Sequence, residues 1–153
     1  MKIRMKTLWI VPVVCVAASF INYFLKTQIA AFLFQSGIAQ KPGDPILLAL
    51  DVILFLLMLF VGGVLLVRSM TRAEAAVSAA IVSAAYLIFV LLQIYDPDFP
   101  VALSVHLGKL QYWSSEFNFV LMKLIGNLEI SAMIASLCPF LFVLFGRRIR
   151  DKK

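Results

Sequence analysis

Two carboxylates in this chain occupy positions that are unusual for charged groups. Asp51 and Glu129 each lie a few residues inside a long apolar segment. An ionisable side chain at that depth in a bilayer is costly, so it usually faces a protein interior or a wet cavity. Two carboxylates that meet in a partly dry site titrate as a coupled pair and can hold a proton or a cation. Asp51 and Glu129 are therefore the first candidates for a functional site.

Their depth places these acids in one layer of the membrane. Counted from the outer ends of their segments, Asp51 lies five residues in from Ile46 and Glu129 four residues in from Ile125. At about 1.5 Å per residue, both lie roughly 6 to 8 Å below the outer boundary. The predicted outward-facing polar site combines them with side chains at similar depth, and its candidate residues are Asp51, Glu129, Asn22, Gln93 and Ser131. Such a site would bind a proton or a small cationic solute.

A plainer interpretation of the same residues is structural. Groups this shallow can reach lipid headgroups or water, where they need no ligand. They can also pair with Lys26, Lys109 or Lys123 and so hold the outer ends of the helices together. Both interpretations stay open, because a single sequence does not say which of these side chains meet in space.

The chain carries no signature of a catalytic or metal site. It contains no GxSxG, HExxH or P-loop motif. His106 is the only histidine, so no metal site and no cofactor are predicted. A membrane-embedded enzyme acting on a lipid could use Glu129, Asp51 and His106 as acid and base, although their spacing gives no support. Cys15 and Cys138 lie in apolar segments without a CxxC motif and indicate neither a disulfide framework nor a zinc site.

Composition excludes a soluble domain of ordinary size. The chain has 153 residues, of which 63% are hydrophobic and 14% charged, and its mean hydropathy is +0.99. These values lie far outside the usual range for soluble domains. Each membrane span needs roughly 20 apolar residues to cross about 30 Å of hydrocarbon, so this length allows about four or five spans.

Four apolar segments are long enough to cross a bilayer. The predicted spans are 8–25, 46–67, 75–95 and 125–145. The third follows a helix-start pattern at 71–74 and stops at 96–98, where a proline between two aspartates cannot continue a helix. The first also resembles a signal peptide, but we treat it as a transmembrane helix. The stretch 26–40 either prolongs that helix or lies in the membrane interface.

The stretch 99–113 has mixed polarity and lies between the last two spans. At helical spacing His106 and Lys109 fall on one side, although the alternating polarity is also typical of a strand. In lipid headgroups a short amphipathic helix is the easier solution, with Tyr112 and Trp113 at the interface depth. The predicted fold is an all-α integral membrane protein, a four-span transmembrane helix bundle with a short extracytoplasmic interfacial helix between spans 3 and 4.

The distribution of basic residues predicts the orientation of the chain. Ten fall on one side of the predicted spans, namely Lys2, Arg4, Lys6, Arg68, Arg72, Arg147, Arg148, Arg150, Lys152 and Lys153. The other side has only Lys26, Lys41, Lys109 and Lys123. Because Lys and Arg are retained on the cytoplasmic side, both termini are predicted to be cytoplasmic, in a bacterial-type inner membrane. The net charge of +6 then needs no nucleic-acid partner, and the basic tail 147–153 would contact anionic lipids.

Small residues repeat along the third span. Two rows at four-residue spacing run side by side, Ala76, Ala80 and Ala84 in one and Ala75, Ala79 and Ser83 in the other. Such rows let another helix approach closely, where dispersion and weak hydrogen bonds hold it. That neighbour is a helix of the same chain, a second copy in a homo-oligomer, or another membrane protein.

Together these features predict a small polytopic membrane protein that acts by binding. The leading hypothesis is an accessory subunit or an oligomeric transporter of a small cationic solute or proton, with its polar site open to the outside. The alternatives are a structural or scaffold subunit that packs through its third span, and a membrane-embedded enzyme acting on a lipid. Membrane lipids are expected partners in each case.

Overall fold

The computed structural model describes residues 7–39, 44–96 and 98–147. All regular structure in these ranges is helical, and the α-helices in chain order are α1 Ile10–Gln35, α2 Pro45–Leu65, α3 Arg72–Tyr95, α4 Val101–Leu110, α5 Tyr112–Ile125 and α6 Leu128–Ala135. A short 3₁₀ turn, Val67–Ser69, follows α2, and a longer 3₁₀ segment, Cys138–Phe145, follows α6. The basic residues before Thr7 and the basic tail after Arg147 lie outside the described residues.

Four helical stretches are long and apolar enough to cross a membrane, in agreement with the four predicted spans. They are Ile10–Gln35, Pro45–Ser69, Arg72–Tyr95 and Leu128–Phe145. The first helix continues without a break to Gln35, so the stretch after residue 25 prolongs the helix. At 26 residues, α1 measures about 39 Å and exceeds the thickness of the hydrocarbon core.

Backbone hydrogen bonds tie the start of α3 to the end of the last span. The Glu74 N–H donates to Thr71 Oγ1 at 3.2 Å, and the Glu74 carboxylate accepts from the Thr71 N–H at 2.9 Å, which forms a capping box. Beside it, the Arg147 N–H donates to the Met70 carbonyl at 2.9 Å, and the Arg72 N–H donates to the Arg147 carbonyl at 3.1 Å. The end of the 3₁₀ segment therefore lies beside the start of α3, and the two segments pack against each other in antiparallel directions.

The last span is part α-helix and part 3₁₀ helix. α6 ends at Ala135, and 3₁₀ geometry runs over Cys138–Phe145. Pro139 lies in the first turn of this segment, where its missing N–H costs no hydrogen bond. A 3₁₀ residue rises about 2.0 Å against about 1.5 Å in an α-helix, so this short span still reaches about 30 Å. It is long enough to cross the hydrocarbon core.

α4 and α5 form a hairpin whose tip lies inside the bundle. The Leu110 carbonyl at the end of α4 accepts hydrogen bonds from the Ser19 hydroxyl at 2.8 Å and the Tyr86 hydroxyl at 3.0 Å. The Trp113 N–H at the start of α5 donates to Ser19 Oγ at 3.3 Å. Ser19 lies about 14 Å along α1 from its first residue. The tip therefore meets α1 about a third of the way along that helix.

α5 leads back from this tip alongside α2. The ring of Phe117 stacks on the ring of Phe55, with centroids 5.1 Å apart. One turn further along α5, Val120 lines a small apolar cavity together with Val52. Higher residue numbers in α5 thus face lower numbers in α2, so α5 runs toward the side on which α2 begins. We call α4 and α5 the re-entrant hairpin, because the chain enters the bundle and returns to the same side.

Trp113 at the tip of the re-entrant hairpin is fully buried. Its ring stacks on Phe55 at 5.3 Å and lies 5.6 Å from the ring of Phe142. From the sequence this tryptophan was predicted to lie at the membrane interface, and the structure shows that protein covers its side chain completely. Backbone between helices at membrane depth needs hydrogen bonds from protein, and the hydroxyls of Ser19 and Tyr86 supply them at this tip.

The small residues of α3 divide between two faces. The buried row consists of Ala75, Ala79 and Ser83. It lies in the interior, where α3 packs against α1 and the 3₁₀ segment. In the other row Ala76 is half-buried, and Ala80 and Ala84 are exposed on the outer surface of the bundle. One row is therefore used within the chain, and the other stays a predicted interface.

Candidate functional site

An ion pair joins α1 and α2 in the half of the bundle to which the re-entrant hairpin returns. Lys26 Nζ lies 2.8 Å from Asp51 Oδ1. Asp51 follows the first turn of α2, about 9 Å from the proline at which that helix begins. Lys26 belongs to the long α1 helix, and the continuation of α1 to Gln35 keeps its ammonium beside α2. Pairing of Asp51 with a lysine, one of the two alternatives left open by the sequence, is present in the structure.

The two partners of this ion pair are unequally buried. The Asp51 side chain is 7% exposed, whereas the Lys26 side chain is 25% exposed. Among the described residues, no hydrogen-bond donor other than the Lys26 ammonium reaches Asp51 Oδ1. A buried carboxylate without a partner is strongly unfavourable. Lys26 therefore supplies the opposite charge that this buried carboxylate needs, and it is the more exposed of the two partners.

Asn22 brings a second polar group to the same face of α1. It lies four residues before Lys26, so the two side chains fall on one side of the helix. Asn22 is fully buried, and neither its Oδ1 nor its Nδ2 has a hydrogen-bond partner among the described residues. Leaving a buried amide unpaired costs about 1–3 kcal/mol per group. The site therefore holds unused donor and acceptor capacity next to the ion pair.

Two tyrosines and two lysines connect the ion pair with the re-entrant hairpin. Lys26 Nζ lies 5.8 Å from the centroid of the Tyr112 ring. That ring meets the Tyr23 ring edge-on at 5.2 Å, and Lys109 Nζ lies 5.8 Å from the centroid of Tyr23. Both distances are in the range of cation–π attraction. These contacts link Tyr112 in the first turn of α5 directly to Lys26, the partner of Asp51. They link Lys109 in the last turn of α4 to the same group through Tyr23.

Glu129 has different surroundings from Asp51. It is exposed, in the first turn of α6, where the Asn127 side chain caps the helix by accepting from the Ile130 N–H at 3.0 Å. A carboxylate in this position is favoured by the helix dipole. α6 packs mainly against α5 and α3, whereas the Asp51 side chain is paired with α1. The structure therefore does not bring Asp51 and Glu129 together in one buried site.

The other two predicted site residues also lie apart from the ion pair. Gln93 is exposed, and its Nε2 donates to Ser104 Oγ on α4. Ser131 is buried and donates to the Leu128 carbonyl of its own helix at 2.9 Å. Of the five predicted residues, Asp51 thus belongs to the ion pair, Asn22 lies one helical turn from Lys26, and Gln93 contributes to a cavity described next.

A cavity of about 470 Å³ lies between α1, α3 and the re-entrant hairpin. Its wall combines two aromatic rings of the tyrosine pair with polar and apolar groups from α3 and α4. The lining residues are Tyr23, Phe89, Gln93, Val105, Gly108, Lys109, Gln111, Tyr112 and Ser115. Its volume is typical of a small-molecule site, and none of the lining side chains that the structure describes is a carboxylate.

The chain offers no assembled catalytic or metal centre in the part that the structure describes. His106 and Glu129 are exposed on different helices, α4 and α6, and Asp51 is buried on α2. No group of three or more His, Cys, Asp or Glu side chains in the described ranges could hold a metal ion. Cys15 and Cys138 are buried free thiols.

Comparison of the chain with protein-family models, with curated proteins and with solved structures finds no match. No relative therefore supplies a role for these residues, and their own chemistry is the only guide. From the sequence, Lys26 was expected only as a structural partner, Tyr112 only as an interface residue, and Tyr23 was not singled out. Asn22 and Lys26 stand four residues apart, which was the available signal for a polar face on α1.

Proposed function

We propose that the chain is a small polytopic membrane protein that exchanges a proton or a small cation at Asp51, as a transporter or as the accessory subunit of one. The observation that supports this most is the buried ion pair with Lys26, 2.8 Å long, beside the unpartnered amide of Asn22. Intramembrane carboxylates of this kind mark proton and ion pathways in membrane proteins. Glu129 has no part in this version of the site.

Lys26 acts in this proposal as a tethered cation that holds the site when no solute is bound. A proton that reaches Asp51 neutralises the carboxylate, and the attraction for the Lys26 ammonium is lost. The lysine, which is the more exposed partner, then moves outward while remaining protonated. A small metal cation would compete in the same way, with Asp51 and the Asn22 carbonyl oxygen as hard ligands. Return of Lys26 expels the ion.

The proposed orientation puts this site on the extracytoplasmic side. The opposite end of the bundle carries Arg68 in the 3₁₀ turn, Arg72 at the start of α3 and Arg147 at the end of the last span. By the positive-inside rule that end faces the cytoplasm of a bacterial-type cell. Lys26 and Asp51 then lie in the outer half of the membrane, accessible from outside.

The test uses the full chain in liposomes that contain a pH-sensitive dye. With a sodium or potassium gradient or a pH step, the wild-type protein is expected to change the internal pH faster than empty liposomes. Asp51→Asn should abolish this flux, because the variant has no carboxylate to bind the ion. Glu129→Gln is the matched control, since that carboxylate is exposed on α6, and it should retain the flux. Flux that survives in Asp51→Asn would overturn the proposal.

A second candidate function is a scaffold subunit. The outer row of α3, with Ala80 and Ala84 exposed on the surface, supports it, because small residues permit close approach of a partner helix. Ala80→Leu should then dissociate a homo-oligomer or a co-purified membrane protein in a mild detergent. Ala85→Leu, an exposed change on another side of α3, is the control. An unchanged complex in Ala80→Leu would argue against this interface.

A further inference from the structure

The cavity between α1, α3 and the re-entrant hairpin has a positive charge in its wall. Among the side chains that the structure describes, Lys109 is the one charged group that lines it. Its ammonium lies over the Tyr23 ring at 5.8 Å, and among the described residues no carboxylate lies within ion-pairing distance of it. A cation–π contact uses none of the three N–H donors of the ammonium. Lys109 therefore keeps its donors for a ligand.

The rest of the cavity wall suits a ligand with both polar and apolar parts. Gln111 contributes an amide and Tyr112 a phenolic ring, while Phe89 and Val105 contribute apolar surface. Charge-assisted hydrogen bonds to an oxyanion are about twice as strong as neutral ones. An apolar chain or ring attached to that anion would cover the aromatic part of the wall. A cationic ligand is disfavoured, because it would face Lys109 without a carboxylate among the described side chains of the lining.

We propose that this cavity binds an oxyanion, a carboxylate or a phosphate, carried on an apolar group. Lys109 is the anchor for the anion, and the tyrosine pair forms the wall that separates it from the buried ion pair. The ligand chemistry is shared by two sources, the headgroup of an anionic membrane lipid and a free amphiphilic acid. Neither Lys26 nor Asp51 lines the cavity, so this site stands independently of ion exchange at Asp51.

Gly108 gives a way to fill the cavity without disturbing the fold. It is one of the lining residues, and a Cβ added to it would meet no atom within 4 Å. It also lies within α4, where any larger unbranched residue favours the helix over glycine. A leucine at this position would therefore occupy ligand space while leaving the hairpin folded.

The experiment measures binding to the full-length protein in a neutral detergent by native mass spectrometry. The probes are phosphatidylglycerol as the anionic lipid, decanoate and decyl phosphate as free amphiphilic acids, and phosphatidylcholine as the uncharged reference. Lys109→Gln should weaken the anionic probes by about tenfold or more and leave phosphatidylcholine unchanged, because it removes a charge-assisted hydrogen bond. Gly108→Leu should abolish saturable binding of the same anions.

Lys123→Gln is the matched control. Its ammonium also lies over an aromatic ring, that of Phe119 at 5.5 Å, but it does not line the cavity, so the variant should bind as the wild type does. Binding of phosphatidylglycerol alone would identify a membrane lipid as the ligand, and binding of the free acids alone would identify a soluble one. Either result supports the anion site. Equal anion binding by the wild type, Lys109→Gln and Gly108→Leu would overturn it.

Asp51→Asn separates this inference from the proposed ion exchange. The variant retains every residue that lines the cavity, so its anion binding should match the wild type. If Asp51→Asn loses flux while anion binding persists, both proposals stand. If Lys109→Gln leaves anion binding unchanged while Asp51→Asn abolishes flux, the anion site fails and ion exchange stands.

Discussion

Asn22 and Lys26 lie one helical turn apart on α1, and they differ in what they meet. The Lys26 ammonium reaches Asp51 across the α1–α2 interface at 2.8 Å, whereas the fully buried Asn22 amide meets no partner in the described residues. A satisfied charge and an unsatisfied dipole thus share one face of the helix. A purely structural ion pair would have no need of the unpaired amide, so this combination supports the proposed ion exchange.

Loss of Lys26 should destabilise the protein more than loss of both partners. Lys26→Met leaves the Asp51 carboxylate buried without its ammonium, and we expect the free energy of unfolding to fall by about 3 kcal/mol. The double variant Lys26→Met/Asp51→Leu removes both charges and should recover most of that loss. The measurement is reversible unfolding in mixed micelles of a mild detergent and dodecyl sulfate.

Lys123→Met serves as the control for this pair, because Lys123 is exposed near the end of α5 and should change stability little. A double variant as unstable as Lys26→Met would contradict the account, since it would mean that the stranded charge was not the cause. Ion flux is not used as a readout here, because Lys26→Met and Lys26→Met/Asp51→Leu both remove part of the proposed exchange site.

Trp113 should behave as a tryptophan shielded from lipid and water. The chain has two tryptophans, of which Trp113 is fully buried and Trp9 is 68% exposed. In liposomes, Trp9→Phe leaves only Trp113, and its fluorescence should resist quenching by brominated lipids and by acrylamide. Trp113→Phe leaves Trp9, which one or both quenchers should reach. Strong quenching of Trp113 by headgroup-depth bromolipids would place the α4–α5 junction in the interface and contradict the re-entrant hairpin.

The four spans could be predicted because each contains a long apolar run, although the fourth begins at Leu128 and not at residue 125, where α5 ends. The pair Thr71 and Glu74 predicts the start of α3, and the structure places a capping box there. Hydropathy was less informative for the stretch 101–125. Its mixture of polar and apolar residues suits a headgroup helix, and it equally suits a hairpin whose polar groups find partners such as Ser19 and Tyr86 inside the bundle.

The candidate site could be predicted only in part, for the same physical reason. Depth along a helix follows from counting residues, and it correctly drew attention to Asp51 and Asn22 as buried polar groups. Which helix faces Asp51 depends on packing, which single-sequence periodicity does not determine in spans that are apolar all round. Lys26 was therefore one option among three lysines, and Glu129 was paired with Asp51 by depth alone.

Gly62 should be intolerant of side chains because it lies where three segments meet. A Cβ built on it would lie 2.6 Å from Val14 Cγ1 of α1 and 3.2 Å from Phe142 Cε1 of the 3₁₀ segment. Gly62→Ala should lower the free energy of unfolding by about 1–3 kcal/mol through overpacking, measured by the same micellar unfolding assay. The double variant Gly62→Ala/Val14→Ala makes room at the closest contact and should recover part of the loss.

Gly108→Ala is the matched control for this substitution, because it is also a glycine within a helix but a Cβ there meets nothing within 4 Å. We expect it to be neutral or to stabilise by up to about 1 kcal/mol, the helix-propensity gain of alanine over glycine. The two substitutions are chemically identical, so a difference between them measures the close approach of α1 and the last span to α2. Equal stability of Gly62→Ala and Gly108→Ala would mean that these segments do not meet at Gly62.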